Sequence, residues 1–337
     1  MSRQLRVRTA ACVLIGVVAV AGSGCQRGDS AKTTAASTTA STTDARPAAR
    51  PPRRVSVTTT GRLPTPIQLP ATAALADGSV LLMGGLDSRD VSSAGIVRIE
   101  KGVRARLMGS LPSPLHDAAG ASAGTSAMFI GGGNQGSSDS VLAVSPGGRT
   151  HQVGRLPKPA SDVAAAVVAG TTYVVGGYDG SAGLRSIVAI DRRGEARIAG
   201  SLPRPLRYAA VATVGGRVVI AGGTSGTVAQ RAVLSFDPAT GRVRHIAALP
   251  RPLTHAAAAQ LAGRFCLIGG RGDGPSSQTR EVSTIDPRSG ALRHVADLPV
   301  ALSDMGAASV RDDIIVAGGR DSAGTVHDSI LRLASRR

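Results

Sequence analysis

The sequence predicts an all-β fold in which six copies of one four-stranded sheet close into a ring, and three observations predict it. An apolar run ending in a glycine pair recurs as "LLMGG" (81–85), "MFIGG" (128–132), "YVVGG" (173–177), "VIAGG" (219–223), "CLIGG" (266–270) and "IVAGG" (315–319). A Leu-Pro signature keeps step with it: "RLPTP" (62–66), "SLPSP" (110–114), "RLPKP" (155–159), "SLPRP" (201–205), "ALPRP" (248–252) and "DLPVA" (297–301). A hairpin turn is the third, clearest as "DPATG" (237–241) and "DPRSG" (286–290), and weaker as "SPGG" (145–148) and "DRRG" (191–194). Three unrelated local signals locked to a period of about 47 residues mark an internal repeat.

The chain begins with an export signal. Arg3, Arg6 and Arg8 precede the apolar run "AACVLIGVVAVA" (10–21), too short at 1.5 Å per residue to cross a bilayer core of ~30 Å. "GSGC" (22–25) follows, and small residues before a cysteine resemble a bacterial lipoprotein signal. On that reading residues 1–24 are a signal peptide and Cys25 becomes the lipidated end, tied to the extracytoplasmic face of the membrane. The alternative is cleavage after "AVA" (19–21) and free secretion. Residues 26–54 are Ser/Thr/Ala and then Pro/Arg with no apolar periodicity, the composition of a disordered tether reaching on the order of 30 Å.

Residues 55–337 hold the repeat. In the fourth copy Ala209–Val214 is small and apolar, as an innermost strand near a crowded axis should be. Strands at Val218–Gly222, Ala232–Asp237 and Val243–Ala247 follow, with "TSGTVAQ" as a loop between the second and third. Turns every 8–12 residues indicate antiparallel sheet, and Asp-Pro opening a turn that Gly closes with positive φ suits the third hairpin. One such sheet cannot bury both faces; a ring of them can, which is the arrangement of a β-propeller. The glycine pairs are expected where the second strand leaves the sheet beside neighbouring backbone. The last copy, with strands near Gly306–Val310, Ile314–Gly318 and His327–Leu333, lacks a fourth strand. Val55–Thr59 is predicted to supply it, joining the chain ends and covering an edge open to aggregation.

The apolar strand ending in glycines, the Asp-Pro-x-x-Gly turn and the period near fifty resemble kelch repeats, with "VVGGYDG" (174–180) the nearest match. The aromatic share is 2% with no Trp, and Val243 or Leu292 stands where kelch repeats carry Trp. Val, Ile, Leu and Ala are therefore expected to fill the interior. The resemblance implies a six-bladed kelch-type propeller that binds on the face shared by the blade-linking loops and the loops after each glycine pair.

The sixth residue past each signature Leu starts the innermost strand and reads Leu69, Asp117, Asp162, Tyr208, His255 and Asp304. The residue before it reads Gln68, His116, Ser161, Arg207, Thr254 and Ser303. These predict a polar ring at the channel mouth, with Asp117, Asp162, Tyr208, His255, Asp304, His116 and Arg207 as candidate ligand-binding residues. Carboxylates and His suit a cation or a polar ligand, while strand-start polar groups also serve to hold neighbouring loops and channel water. Asp87, Arg89, Asp90, Asn134, Asp139, Tyr178, Asp179, Arg271, Asp273, Arg320 and Asp321 form a second tier, read mostly as solvated turns.

Charge and cysteines narrow the function classes. The net charge of +17 comes almost wholly from Arg, without the basic helix or aromatic interleaving of nucleic-acid binders, so no nucleic-acid partner is expected. Cys266 is alone in its strand and reads as a small buried hydrophobe. The expectation is a monomeric surface-tethered module that needs no cofactor and holds a protein, glycan or cell-wall polymer. The resemblance also raises enzymes. A galactose-oxidase-like copper site is disfavoured because the one folded Cys abuts a glycine pair. A sialic-acid-epimerase-like activity stays open, since Arg207, His255, Asp117 and Asp162 could supply acid/base groups and anion recognition.

Overall fold

The computed structural model describes residues 54–336; the expected signal peptide, Cys25 and nearly all of the expected tether lie outside the described residues. Six sheets radiate from one axis, and no helix occurs among the described residues. From the axis outward, blade 1 is Ala71–Ala74, Val80–Met83, Gly95–Glu100 and Arg104–Ser110. Blade 2 runs through His116–Ala123, Ser126–Gly133, Ser140–Val144 and Thr150–Arg155, and blade 3 through Ala164–Val168, Thr171–Val175, Ser186–Ile190 and Ala196–Ser201. Blade 4 has Ala210–Val214, Arg217–Ala221, Val228–Asp237 and Arg242–Leu253; blade 5 has Ala257–Leu261, Arg264–Ile268, Glu281–Ile285 and Leu292–Asp297.

Blade 6 is closed as the sequence predicts. Gly306–Val310, Asp313–Ala317 and Ser329–Arg336 are completed by Arg54–Arg62, which pairs antiparallel with Ser329–Arg336 from Arg54↔Arg336 to Arg62↔Ser329. The innermost strands of neighbouring blades pack on one another all the way round, Ala71–Ala74 meeting Gly306–Val310. One prediction fails in blade 4. The expected loop "TSGTVAQ" instead folds back, Thr224–Ser225 pairing with Val228–Ala229 across Gly226 at φ +61°. A glycine with positive φ two residues into a Thr/Val-rich stretch closes a small hairpin there.

Six apolar clusters fill the spaces between adjacent blades. Tyr173, Val175, Ile187, Val218, Ile220, Leu234 and Phe236, for example, join blades 3 and 4. Complete burial of each such side chain contributes about 1.5–3 kcal/mol. The interior is mostly Val, Ile, Leu and Ala as expected. All three Phe of the chain, however, are fully buried between blades: Phe129, Phe236 and Phe265. Scarce aromatics are spent where blades must be spaced apart. Val243 and Leu292 are half-buried against the same clusters. Cys266 is fully buried, and burial pushes its thiol up to about 12.

The glycine pairs have one geometry in every blade. A Cβ on the first glycine of "YVVGG", Gly176, would overlap the carbonyl oxygen of Leu206 in the linker to the next blade, while the N–H of Gly177 donates to that carbonyl at 2.8 Å. The same bond joins Gly85 to Leu115, Gly132 to Ala160, Gly223 to Leu253, Gly270 to Leu302 and Gly319 to Ile67, at 2.8–2.9 Å. Each pair therefore stitches its blade to the following linker and fixes the residues that open the next innermost strand.

Candidate functional site at the channel mouth

Those opening residues are the predicted ring. Leu69, Asp117, Asp162, Tyr208, His255 and Asp304 all adopt φ between +52° and +63°. Positive φ is uncommon outside glycine, with Asp and His among its better-tolerated residues. Six such residues at one repeat position confirm the alignment read from the sequence. They are linked backbone to backbone across blade boundaries: Tyr208 N–H to Asp162 C=O at 3.1 Å, His255 to Tyr208 at 3.2 Å, Asp304 to His255 at 3.0 Å and Leu69 to Asp304 at 2.8 Å. These bonds run from blade 3 through blade 6 and on to blade 1.

Below the collar lies the axial channel, with Ala118, Ala164, Ala210 and Ala257 in its wall. Above it opens a cavity of about 620 Å³ onto which His116, Asp117, Tyr208, His255 and Asp304 face. Asp162 lines the channel side, and Arg207 reaches across to it. The seven candidates are thus brought together, in two groups.

The first group surrounds Arg207. Its Nε donates to Asp162 Oδ2, and its guanidinium sits 4.5 Å from the Tyr178 ring centroid and 5.2 Å from that of Tyr208. Burial works against the Arg207 charge, but Asp162 and Tyr208 outweigh it and raise its pKa. Burial, then the charges of Asp117 and Asp162, push the Tyr208 hydroxyl up. That hydroxyl donates to Asp117 Oδ2 at 3.4 Å. Burial and the nearby carboxylates Asp162 and Asp304 hold Asp117 well above the usual carboxylate range. His116 is lowered, mainly by burial, with Ser92 Oγ 2.9 Å from its Nδ1.

The second group surrounds His255. Its ring stacks on Tyr208 with centroids 3.9 Å apart and 22° between planes. Thr254 Oγ1 lies 3.0 Å from Nδ1, and an Arg271 Nη lies 3.2 Å from Nε2. Burial first, then the charges of Arg271 and Arg207, lower the imidazole to about 3, so it stands neutral and accepts from Arg271. Asp304 accepts from Ser303 Oγ through Oδ2, and burial raises it to about 6.

Two carboxyl oxygens in this collar, Asp117 Oδ1 and Asp304 Oδ1, are buried without a hydrogen-bond partner, as is Gln278 Oε1 on the cavity wall. Positive φ explains an Asp at these positions. It does not explain a desolvated, unpaired oxygen, which is costly unless something meets it. Among the described residues no three His, Cys, Asp or Glu side chains converge as metal ligands would, and Asp162 is engaged by Arg207 and Asp304 by Ser303. The geometry favours hydrogen bonding to a polar ligand over coordination of a cation.

Second-tier residues divide. Arg271 and Arg320 line the cavity, Arg320 paired with Asp90 at 2.9 Å and Arg271 without a carboxylate within 4.0 Å among the described residues. Both follow a glycine pair, a shared position that could have marked them. Asp87, Asp179 and Asp321 accept backbone N–H groups of their own loops, as solvated turns do. The "RGD" tripeptide is split: Arg271 faces the mouth while Asp273 accepts from the Ala229 N–H in blade 4.

The Kelch motif family profile matches residues 159–195 and 205–250, the stretches forming blades 3 and 4. No curated protein matches the chain. Among solved structures, that of YjhT is similar, with a TM-score of 0.70 at 15% identity, covering 80% of this chain and 95% of that one. At that identity the likeness concerns the fold. Matched Kelch motifs in two blades, within a six-bladed propeller throughout, support a kelch-repeat family for this chain.

Proposed function

We propose that the chain is an exported, membrane-tethered binding module, acting as a monomer, whose channel mouth holds an acidic glycan, cell-wall fragment or protein side chain. The observation that carries this reading is the pairing of unpartnered buried oxygens at Asp117 and Asp304 with Arg271, which faces the cavity without a carboxylate partner. A guanidinium held in place by a neutral imidazole retains donors for an anionic group. Burial holds the carboxyls on either side above the usual carboxylate range, Asp117 well above it, which lessens their repulsion of an anionic group. Lipidation at Cys25, with residues 26–54 as tether, would place this mouth outside the cytoplasmic membrane.

The test is titration calorimetry of the chain from Gln26 onward against acidic and neutral wall glycans, with Arg271→Gln and Asp117→Asn variants. Acidic glycans should bind at least tenfold more weakly to Arg271→Gln. Equal binding by both variants and the parent chain would defeat the reading. The second reading, a sugar-transforming enzyme, is favoured by one feature. Asp304, raised to about 6 by burial, faces the cavity as a candidate general acid or base toward a bound sugar. Turnover of a bound sugar, abolished in Asp304→Asn, would establish it.

A further inference from the structure

The opposite end of the ring carries a second surface. Each innermost strand runs away from the mouth, so the turns between first and second strands and between third and fourth strands lie together on the far face. Every blade places an exposed cation there: Lys101, Arg149, Arg192, Arg242 and Arg288 beside the third-to-fourth turns of blades 1–5, and Arg311 in the first turn of blade 6, with Arg104 and Arg193 exposed next to Lys101 and Arg192. None of the six has a carboxylate within 4.0 Å among the described residues. Most acids of this face are engaged elsewhere, while Glu100, Glu195 and Asp312 stand in these turns without an ion pair among the described residues. Asp77, Asp237, Asp286 and Asp313 are ion-paired to Arg98, Arg217, Arg264 and Arg332, and Asp191 caps its own turn. On the mouth face Arg62, Arg89, Arg155, Arg251 and Arg320 are paired, while Arg204 and Arg271 have no carboxylate within 4.0 Å among the described residues.

We propose that this far face docks on an anionic lipid surface. Cations from all six blades at one end of a closed ring form a broad basic footprint, which suits a planar array of headgroups better than a single strand of polymer. Val103, 51% exposed between Lys101 and Arg104, adds an apolar tip at the same end. The chain itself arrives there: Arg54 begins the outer strand of blade 6 at the far face, paired with Arg336. The described residues therefore begin on the side where the charges stand. Docking in this way would turn the mouth outward. Basic side chains near an anionic surface act additively and are screened by salt.

The chain from Gln26 onward, which holds every described strand, is floated with vesicles of phosphatidylcholine alone or with 30% phosphatidylglycerol. Binding to the anionic vesicles alone, weakening with salt, is expected. Arg149, Arg192 and Arg288→Gln together should lower the partition on the order of a hundredfold, whereas Arg89, Arg155 and Arg251→Gln, an equal change in charge on the mouth face, should move it less than about threefold. Far-UV dichroism and melting confirm that each variant is folded, and Arg288→Gln alone, expected to cost roughly fivefold, serves if the triple variant is not. Equal losses from the two triple variants overturn the proposal, as does equal binding to both vesicle types. So does tight binding to a soluble acidic polymer with none to vesicles, or loss of binding on removing residues 26–53 with the far-face triple variant unaffected.

Discussion

Gly176 and Gly263 both lie at strand ends with positive φ, +61° and +73°, yet their surroundings differ. Gly176, at the mouth end, is pressed against the Leu206 carbonyl of the next linker; a Cβ at Gly263, at the far end, would meet nothing within 4 Å. The side chains around them follow the same division. At the mouth, polar groups are buried, coupled and shifted in pKa, and backbone bonds pass from blade to blade. At the far face Asp77, Ser145, Asp191, Asp237 and Asp286 cap their own turns. The third-to-fourth turns rest on the outer strand of the preceding blade, as Gly148 does on Met108 and Gly194 on Val153, and exposed cations stand without a carboxylate within 4.0 Å among the described residues. One repeat thus yields two different ends, because the linkers bring polar side chains together at the axis while the far-face turns leave theirs in solvent.

The comparison presumes a closed ring that holds both ends in register, and the sharpest way to break it is to open the ring. Deleting residues 55–60 removes the strand paired with Ser329–Arg336 and the buried Val55. The melting temperature should fall by on the order of 10–20 °C, with aggregation through the exposed edge. An unchanged melting point in calorimetry would mean that the ends are not stitched together.

Next in size is the glycine comparison itself. Gly176→Ala combines positive φ with an overlap that moves backbone, and should destabilise by about 3–4 kcal/mol. Gly263→Ala carries only the φ penalty, about 1 kcal/mol. Urea denaturation of the two variants separates them. Equal losses would mean that the linkers give way easily, and the mouth would then lack the rigidity on which a preformed collar depends.

The blade plan was legible because glycine pairs, Leu-Pro linkers and Asp-Pro turns each reflect a local backbone requirement, and a repeat states that requirement six times. The collar was legible for the same reason: a polar residue at a fixed offset from Leu-Pro interrupts an otherwise alanine-rich strand. What escaped was set by side-chain reach across blades. Arg271 and Arg320 stand in polar loops where a sequence shows only solvated turns, and they enter the mouth because the glycine pair before them turns the chain inward. The Thr224–Ser225 hairpin escaped because "TSGTVAQ" is short and its only signal is Gly226. No local pattern tells that Asp162 is engaged by Arg207 while Asp117 keeps an unpaired oxygen, since that depends on which neighbour is long enough to cross the channel.

The smallest expected effect probes whether the mouth is desolvated as its geometry implies. Asp304, raised to about 6 chiefly by burial, binds more protons folded than unfolded between about pH 4 and 6, so its contribution to stability is present at low pH and lost as pH rises through that window. His255, lowered to about 3 by burial and by Arg271 and Arg207, binds fewer protons folded than unfolded between about pH 3 and 6.5. Its contribution is present above that window and lost as pH falls. The two slopes oppose each other across pH 4–6, and their cancellation flattens the profile of the parent protein there. Asp304→Asn removes one slope. That variant should exceed the parent in stability by about 1–3 kcal/mol at pH 7.5 and lose stability steeply below pH 6, where His255 alone remains. His255→Gln should show the reverse, most stable in acid and weakening toward neutrality. Melting curves from pH 3.5 to 8 read both slopes directly. Parallel profiles for all three proteins would mean that water reaches both groups freely, and the mouth would then differ from the far face in shape but not in electrostatics.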